Sequence, residues 1–160
     1  MEESLSGGYM EKNKTDNMGQ YQYFKDVLGI SDVNPKNYSP LALAYIGDSI
    51  FDVMIRTIEV SRVNMQANKY HKHVSKIVCA SAQAKMILAL KERLTEEEQD
   101  VFRRGRNAKS YTKAKNASMI DYRNATGFEA LLGYLYLKQD FKRLTDVVKM
   151  GLDILEANQE

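Results

Sequence analysis

Two acidic residues lie inside apolar helical segments and are the first candidates for chemistry. Asp48 lies within the apolar run 41–51, and Glu129 lies within the apolar run 128–135. An ionised carboxylate that faces a protein core is costly unless a positive charge is bound to it or paired with it. These two acids therefore either escape to solvent or hold a cation.

A glycine lies close to each acid. Gly47 directly precedes Asp48, and Gly133 follows Glu129 by one helical turn. Since glycine in a helix interior costs about 1 kcal/mol relative to alanine, we expect a packing reason for both. The glycines predict two helix backbones that approach closely enough for the two carboxylates to converge.

Convergent carboxylates with no nearby His or Cys suit a hard divalent ion such as Mg²⁺. Such an ion lowers the pKa of a bound water and neutralises charge on a phosphate, which indicates phosphodiester hydrolysis. Other readings stay open at this point. Asp48 could point to solvent or cap a kink at Gly47, and Glu129 could pair with Arg123 or another base.

The net charge of +2 hides a segregation of charge along the chain. Twelve of the 23 basic residues lie in the acid-free segments 61–91 and 101–120. Such segments favour a polyanionic partner, although solvated helix faces also produce charge runs. The candidate contacts to such a polyanion are Arg104, Arg106, Asn107, Lys109, Lys113 and Lys115 in one segment, and His71, Lys72 and Lys76 in the other. His71 and His73 are two residues apart and so lie on different helix faces, which argues against a shared metal.

Helical periodicity and capping residues predict an all-α fold with one domain. Ser39 and Pro40 mark one helix start, and Thr95 with Glu98 forms a capping box at another. Residues 1–20 are predicted to be a flexible tail, and 106–118 an exposed loop. The predicted helices are 21–28, 40 to about 59, 67–94 as one helix or two broken near Ser81, 96 to about 105, 121–137 and 140–155.

The remaining sequence features concern the compartment. Cys79 is the single cysteine of the chain, so an intrachain disulfide is excluded and a reducing compartment is favoured. The beginning of the sequence does not resemble a secretory signal, and the run 41–55 is too short and too acidic for a membrane span. We therefore expect a cytoplasmic protein without a membrane partner.

Three segments carry a family resemblance. Residues 42–48 (Ala-Leu-Ala-Tyr-Ile-Gly-Asp), 104–110 (Arg-Gly-Arg-Asn-Ala-Lys-Ser) and 126–134 (Thr-Gly-Phe-Glu-Ala-Leu-Leu-Gly-Tyr) resemble Mini-III. This is the branch of the ribonuclease III family that lacks the C-terminal double-stranded-RNA-binding domain. The resemblance covers about 39–155 and implies that residues 21–160 form a ribonuclease III-like catalytic domain.

The resemblance implies a homodimeric helical bundle, like the ribonuclease III endonuclease domain, that cleaves double-stranded RNA with Mg²⁺ and leaves 5′-phosphates. It also implies maturation of the large-subunit (23S) ribosomal RNA precursor, with a large-subunit ribosomal protein as a candidate partner. Asp48 and Glu129 match the family's metal-binding catalytic acids. Tyr45 matches the aromatic residue that inserts into the partner subunit, although an ordinary core aromatic explains it too.

The sequence departs from full-length ribonuclease III at two positions. Ala44 and Thr126 stand where that enzyme has two further acids, so we expect a weakly held Mg²⁺ with mostly water ligands. Asp52 could orient one of those waters, or could simply be an exposed acid. The alternative function is a catalytically silent RNA-binding or ribosome-associated protein of the same fold. A helical protein–protein adaptor is a third reading, but it leaves the basic segment 104–115 unexplained.

Overall fold

A computed structural model describes residues 19–109 and 118–159. Within these ranges all regular elements are helices and no strand occurs, which confirms the all-α prediction. The predicted tail up to residue 18, together with Lys113 and Lys115, lies outside the described residues. The chain separates into two compact units, which divide between Val33 and Asn34.

The first unit contains helix α1, residues 19–28. The helix ends at Gly29, which adopts a left-handed conformation with φ of 65°, as its position after the last apolar residue predicts. Lys25 forms a salt bridge with Asp32 beyond the turn. The described part of this unit is therefore a short helix whose C-terminal turn is stabilised by a glycine and an ion pair.

The second unit begins with a short 3₁₀ turn, Pro35–Asn37, and then helix α2. Ser39 caps α2 by accepting a hydrogen bond from the Ala42 amide, as predicted. The region predicted as one or two helices forms two, which break at Cys79 in an extended conformation rather than at Ser81. The bounds are α2 Pro40–Arg62, α3 Ala67–Val78 and α4 Ala80–Leu90.

Three further helices complete this unit: α5 Glu96–Asn107, α6 Met119–Leu137 and α7 Phe141–Ala157. The predicted capping box is present at α5, where Thr95 and Glu98 bond to each other's backbone amides. The prediction that α5 ends near Gly105 was wrong by two residues. The Arg106 guanidinium lies over the Phe102 ring at 5.7 Å, and this contact one turn apart favours a helix that continues to Asn107.

Helix α6 forms the centre of the second unit. Every residue from Asn124 to Leu135 is buried except Glu129, which is half-buried. A helix that is covered on all sides must be surrounded by other helices, and α6 packs against α2, α4 and α5. Phe51 and Phe128 meet edge to face with ring centroids 5.6 Å apart. The half-buried Glu129 therefore lies on the most buried helix of the described chain. None of the helices in the described residues is long and apolar enough to span a membrane.

Candidate active site

Helices α2 and α6 cross with their backbones in direct contact at two glycines. A Cβ atom on Gly47 would lie 1.7 Å from the carbonyl oxygen of Glu129, and one on Gly133 would lie 1.9 Å from that of Leu43. Either side chain would overlap the facing backbone, so only glycine permits this crossing. The packing role predicted for the two glycines is confirmed, and the crossing brings the chain around Asp48 next to that around Glu129.

The two acids interact electrostatically across this crossing. Burial, and after it the nearby Asp48 carboxylate, raise the pKa of the Glu129 carboxyl from 4.5 to about 7. Partial burial also raises the pKa of Asp48, and Asp52 adds to that shift. The site therefore concentrates negative charge that favours protonation or a bound cation.

Asp48 points to solvent, which is one of the alternatives that the sequence left open. Its side chain is exposed, because α2 directs Leu43, Gly47 and Phe51 inward and leaves the neighbouring face to solvent. A carboxylate at this edge keeps much of its hydration, which lowers the cost of its charge. The acid pair thus consists of one exposed member and one half-buried member at the rim of the core.

Gln83 of α4 is the polar partner of Glu129. Its side-chain amide donates to Glu129 Oε1 at 3.1 Å and to the Val78 carbonyl at 2.8 Å. The sequence analysis did not select this residue. The available signal was a glutamine among the apolar positions of a predicted helix, beside Ala82 and Met86.

Two alternatives to a cation site, a kink at Gly47 and a base paired with Glu129, find no support in the described residues, whereas the exposure of Asp48 agrees with the third, an acid that points to solvent. Across 19–109 and 118–159, neither Asp48 nor Glu129 forms a salt bridge, and the exposed Arg123 is not paired with Glu129. Helix α2 also continues through Gly47 without interruption. The acids therefore lack a positive partner within the part of the chain that the structure describes.

The ligand set for a metal is small. Within the described ranges, no three side chains of the His, Cys, Asp and Glu types converge on one point. Ala44 is buried, and the Thr126 hydroxyl donates to the Tyr122 carbonyl within its own helix. Asp52 pairs with Arg56 at 2.6 Å. The two carboxylates offer only oxygen atoms as ligands. This set matches Mg²⁺, which keeps several waters and binds through one or two carboxylates.

The basic residues of α5 are held beside α6. A Cβ atom on Gly105 would lie 2.7 Å from that of Ala130, the residue after Glu129, so the end of α5 packs directly on α6. Arg104, Asn107 and Lys109 are exposed, and Arg106 is half-buried against Phe102. This arrangement leaves three of the four predicted phosphate contacts free to meet a polyanion.

The other predicted contacts lie on α3. His71, Lys72 and Lys76 are all exposed. The His73 ring nitrogen Nδ1 lies 3.4 Å from Glu59 Oε2, and His71 lines a cleft together with Arg56 and Glu59.

Tyr45 is 82% exposed on α2, one turn before Asp48. This exposure excludes the alternative that Tyr45 is an ordinary core aromatic. A tyrosine in this position offers a large apolar surface to a second molecule.

Comparison with known proteins agrees with the resemblance seen in the sequence. The model of the Ribonuclease III domain family matches residues 41–140. A Mini-ribonuclease 3 of Clostridium tetani is 45% identical over 126 residues, which cover 78% of this chain and 83% of that protein. A Mini-ribonuclease 3 of Symbiobacterium thermophilum is 43% identical over 126 residues, with 79% and 97% covered.

A solved structure shares the fold. The X-ray structure of a Fusobacterium nucleatum protein superimposes with a TM-score of 0.69 at 24% identity and covers 76% of this chain and 98% of that one. The family match includes both acids and the α2–α6 crossing that brings them together. The chain therefore belongs to the ribonuclease III family of endoribonucleases, within its Mini-ribonuclease 3 branch.

Proposed function

We propose that this protein is a Mg²⁺-dependent endoribonuclease that cleaves double-stranded RNA, with Asp48 and Glu129 as its catalytic and metal-binding acids. The observation that carries the proposal is the acid pair at the glycine crossing. Burial and the neighbouring Asp48 carboxylate raise the pKa of Glu129 to about 7, and neither acid has a cationic partner among the described residues. A divalent cation would supply the missing positive charge.

The donor chemistry of the site fits Mg²⁺. Asp48 is exposed and can meet a hydrated ion, and Glu129 is fixed on one side by the amide of Gln83. When bound, Mg²⁺ lowers the pKa of a bound water and neutralises charge on the phosphate. The two acids would hold and orient the ion at the surface where a phosphodiester can approach.

The basic residues would bind the RNA. Duplex RNA is recognised by its shape, its phosphates and its 2′-hydroxyls rather than by base edges in the deep major groove. Arginines, lysines and small polar side chains provide such contacts. The proposed RNA-binding residues are Arg104, Arg106, Asn107, Lys109, Lys113 and Lys115, with His71, Lys72 and Lys76 on α3.

The finer function follows from the family resemblance. We infer that the natural substrate is the 23S ribosomal RNA precursor, that the products carry 5′-phosphates and that the enzyme acts in the cytoplasm as a homodimer. The exposed Tyr45 supports a dimer, because it presents an aromatic ring to a second subunit. A large-subunit ribosomal protein is a candidate partner for substrate binding.

Cleavage of a labelled RNA duplex tests the proposed function. The wild type is expected to cut the duplex with Mg²⁺ and not in EDTA. Asp48→Asn and Glu129→Gln are expected to lose at least about a hundredfold in rate, since a metal ion supplies several kcal/mol and each 1.4 kcal/mol is tenfold. Asp146→Asn, which alters an acid on α7 whose side chain is 47% exposed, is the matched control.

The binding measurement separates the alternatives. Asp48→Asn and Glu129→Gln are expected to bind the duplex at least as tightly as the wild type, because each removes a negative charge near the RNA. A wild type that binds duplex RNA without cutting it would support the catalytically silent protein. Equal cleavage by wild type and both variants would assign catalysis to other groups.

A further inference from the structure

Gln83 is a polar residue in a position that packing alone would give to an apolar one. It lies in the first turn of α4 and is 1% exposed, among the buried residues Ala82, Ala84 and Met86. A methionine would fill a similar volume there without a buried polar group. The presence of an amide therefore calls for a polar reason.

The amide has a single orientation that satisfies its neighbours. Its Nε2 donates to the Val78 carbonyl and to Glu129 Oε1, and both of these atoms are acceptors. Rotating the amide by half a turn would place its oxygen against two other oxygens, so the assignment follows from the hydrogen-bond network. The donor end of Gln83 thus faces the acid pair.

The acceptor end of Gln83 is left without a partner. Its Oε1 is buried and receives no hydrogen bond from any described residue. A buried carbonyl oxygen without a donor destabilises the folded state. The contribution of this amide therefore comes from the two hydrogen bonds that its NH₂ group donates, to the Val78 carbonyl at the end of α3 and to the carboxylate of Glu129.

Both anchors of this bridge are rigid. Gln83 is fixed within α4, and Val78 is the last residue of α3. Glu129 lies on the central helix α6, and its other carboxylate oxygen is free of the bond to Gln83. One oxygen of Glu129 is thus held by the protein, which leaves the second oxygen for a ligand.

We propose that Gln83 is a positioning residue that holds the carboxylate of Glu129 in the orientation in which it and Asp48 bind Mg²⁺. This inference rests on the proposed function of the acid pair. Because Gln83 is buried, it acts through Glu129 and does not touch RNA. Mutation of a residue that hydrogen-bonds a metal-binding carboxylate typically lowers metal affinity or activity.

Metal binding by Gln83→Met and Gln83→Leu tests the proposal. Calorimetric titration with Mn²⁺ in the absence of RNA is expected to show about a tenfold to a hundredfold weaker Kd for both variants. The Mg²⁺ concentration for half-maximal cleavage is expected to rise in parallel. The affinity for duplex RNA in EDTA is expected to stay within twofold of the wild type.

Met86→Leu is the matched control, since Met86 is buried on the same helix and contacts Gly151 of α7 instead of the acid pair. It is expected to alter the thermal unfolding temperature without changing the Mn²⁺ affinity. Circular dichroism verifies that each variant is folded, and the leucine variant provides a second test if the methionine variant fails to fold.

The outcomes are distinguishable from failure of the proposed function. A wild type that binds Mn²⁺ and cleaves with Mg²⁺, while both Gln83 variants bind Mn²⁺ within twofold of it, overturns the role of Gln83 alone. Weaker metal binding by Met86→Leu of the same size would also overturn it, because the effect would then be one of general packing. A wild type without metal binding overturns both proposals.

Discussion

Glu129 is an acid kept where its ionised form is disfavoured. Burial and the nearby charge of Asp48 raise its pKa to about 7, and one hydrogen bond from Gln83 acts in the opposite direction. In the absence of a cation, the folded protein therefore carries an electrostatic strain at this residue. A divalent ion would relieve the strain, so the protein's stability should report on the site directly.

Without divalent metal, stability is expected to fall as the pH rises from about 5 to 8. The pKa of Glu129 is about 7 in the folded protein and near its ordinary value of 4.5 in the unfolded chain. Between these values the folded state binds the proton more tightly, so each increase in pH favours unfolding. The loss is at most about 3 kcal/mol. Thermal unfolding in EDTA across this pH range measures it.

Glu129→Gln is the control for this pH dependence. The amide does not titrate, so this variant is expected to have a flatter pH profile and a higher unfolding temperature than the wild type near pH 8. Adding Mg²⁺ should raise the unfolding temperature of the wild type more than that of the variant. Identical pH profiles for the two proteins would contradict a raised pKa at Glu129.

At the scale of elements, the crossing of α2 and α6 sets the position of the acids. Gly47 and Gly133 lie against backbone atoms of the opposite helix, and Gly105 and Gly127 play the same part between α5 and α6. Close approach of backbones fixes the separation of the helices with little freedom, because backbone atoms cannot move aside as side chains do. The geometry of the acid pair is therefore set by the glycines.

Gly47→Ala is expected to destabilise the protein by about 3 kcal/mol, the upper end of overpacking costs. The added Cβ would lie 1.7 Å from the Glu129 carbonyl oxygen, so the two helices must separate. Urea unfolding measures the loss, and cleavage activity is expected to fall with it.

Gly19→Ala is the matched control for the glycine crossing. Gly19 also lies in a helix, but a Cβ there would contact nothing within 4 Å. Alanine is expected to leave stability unchanged or to raise it by up to about 1 kcal/mol. A Gly47→Ala variant as stable as Gly19→Ala would show that the crossing tolerates a side chain.

At the scale of the whole molecule, the charge distribution and the exposed aromatic side chains determine which partners the protein can bind. The net charge is only +2, yet half of the basic residues lie in two acid-free segments. Arg104 lies near the end of α5, which packs on the helix that carries Glu129, and Lys109 follows that end. A concentration of cations near an acid pair is expected where a phosphate backbone must approach carboxylates.

The salt dependence of RNA binding tests the role of this basic surface. Arg104→Gln combined with Lys109→Gln is expected to weaken duplex binding and to reduce the slope of log K against log salt by about 1 to 2 units. The control is Lys142→Gln combined with Lys149→Gln, which removes the same charge from exposed residues of α7. Equal changes in both double variants would show that only net charge matters.

Tyr45→Ala tests the proposed homodimer. Tyr45 is 82% exposed, so its removal is expected to change folding stability little and to shift the protein from dimer to monomer. Sedimentation equilibrium measures the mass. Tyr23→Ala on α1, where the tyrosine is 70% exposed, is expected to remain dimeric. A dimer of unchanged affinity in Tyr45→Ala would remove Tyr45 from the interface.

The sequence by itself determined the helical class, most helix starts, the packing role of the two glycines and the family. It also selected Asp48 and Glu129 as the candidate acids. These features depend on local patterns: side-chain period, capping residues such as Ser39 and Thr95, and short motifs around Asp48 and Glu129. Local patterns depend on residues that are close in sequence, so they can be recognised without knowing which other helix packs against them.

Only the tertiary structure decided which face of α2 is covered, and this leaves Asp48 exposed. Only the tertiary structure brings Gln83 into contact with Glu129, which lies 46 residues away in the sequence. It also decided the break at Cys79 and the pKa of Glu129, which depends on the neighbouring helix. These properties arise from contacts between distant parts of the chain. Burial and electrostatics are set by what surrounds a residue in space, and that is fixed only when the helices pack.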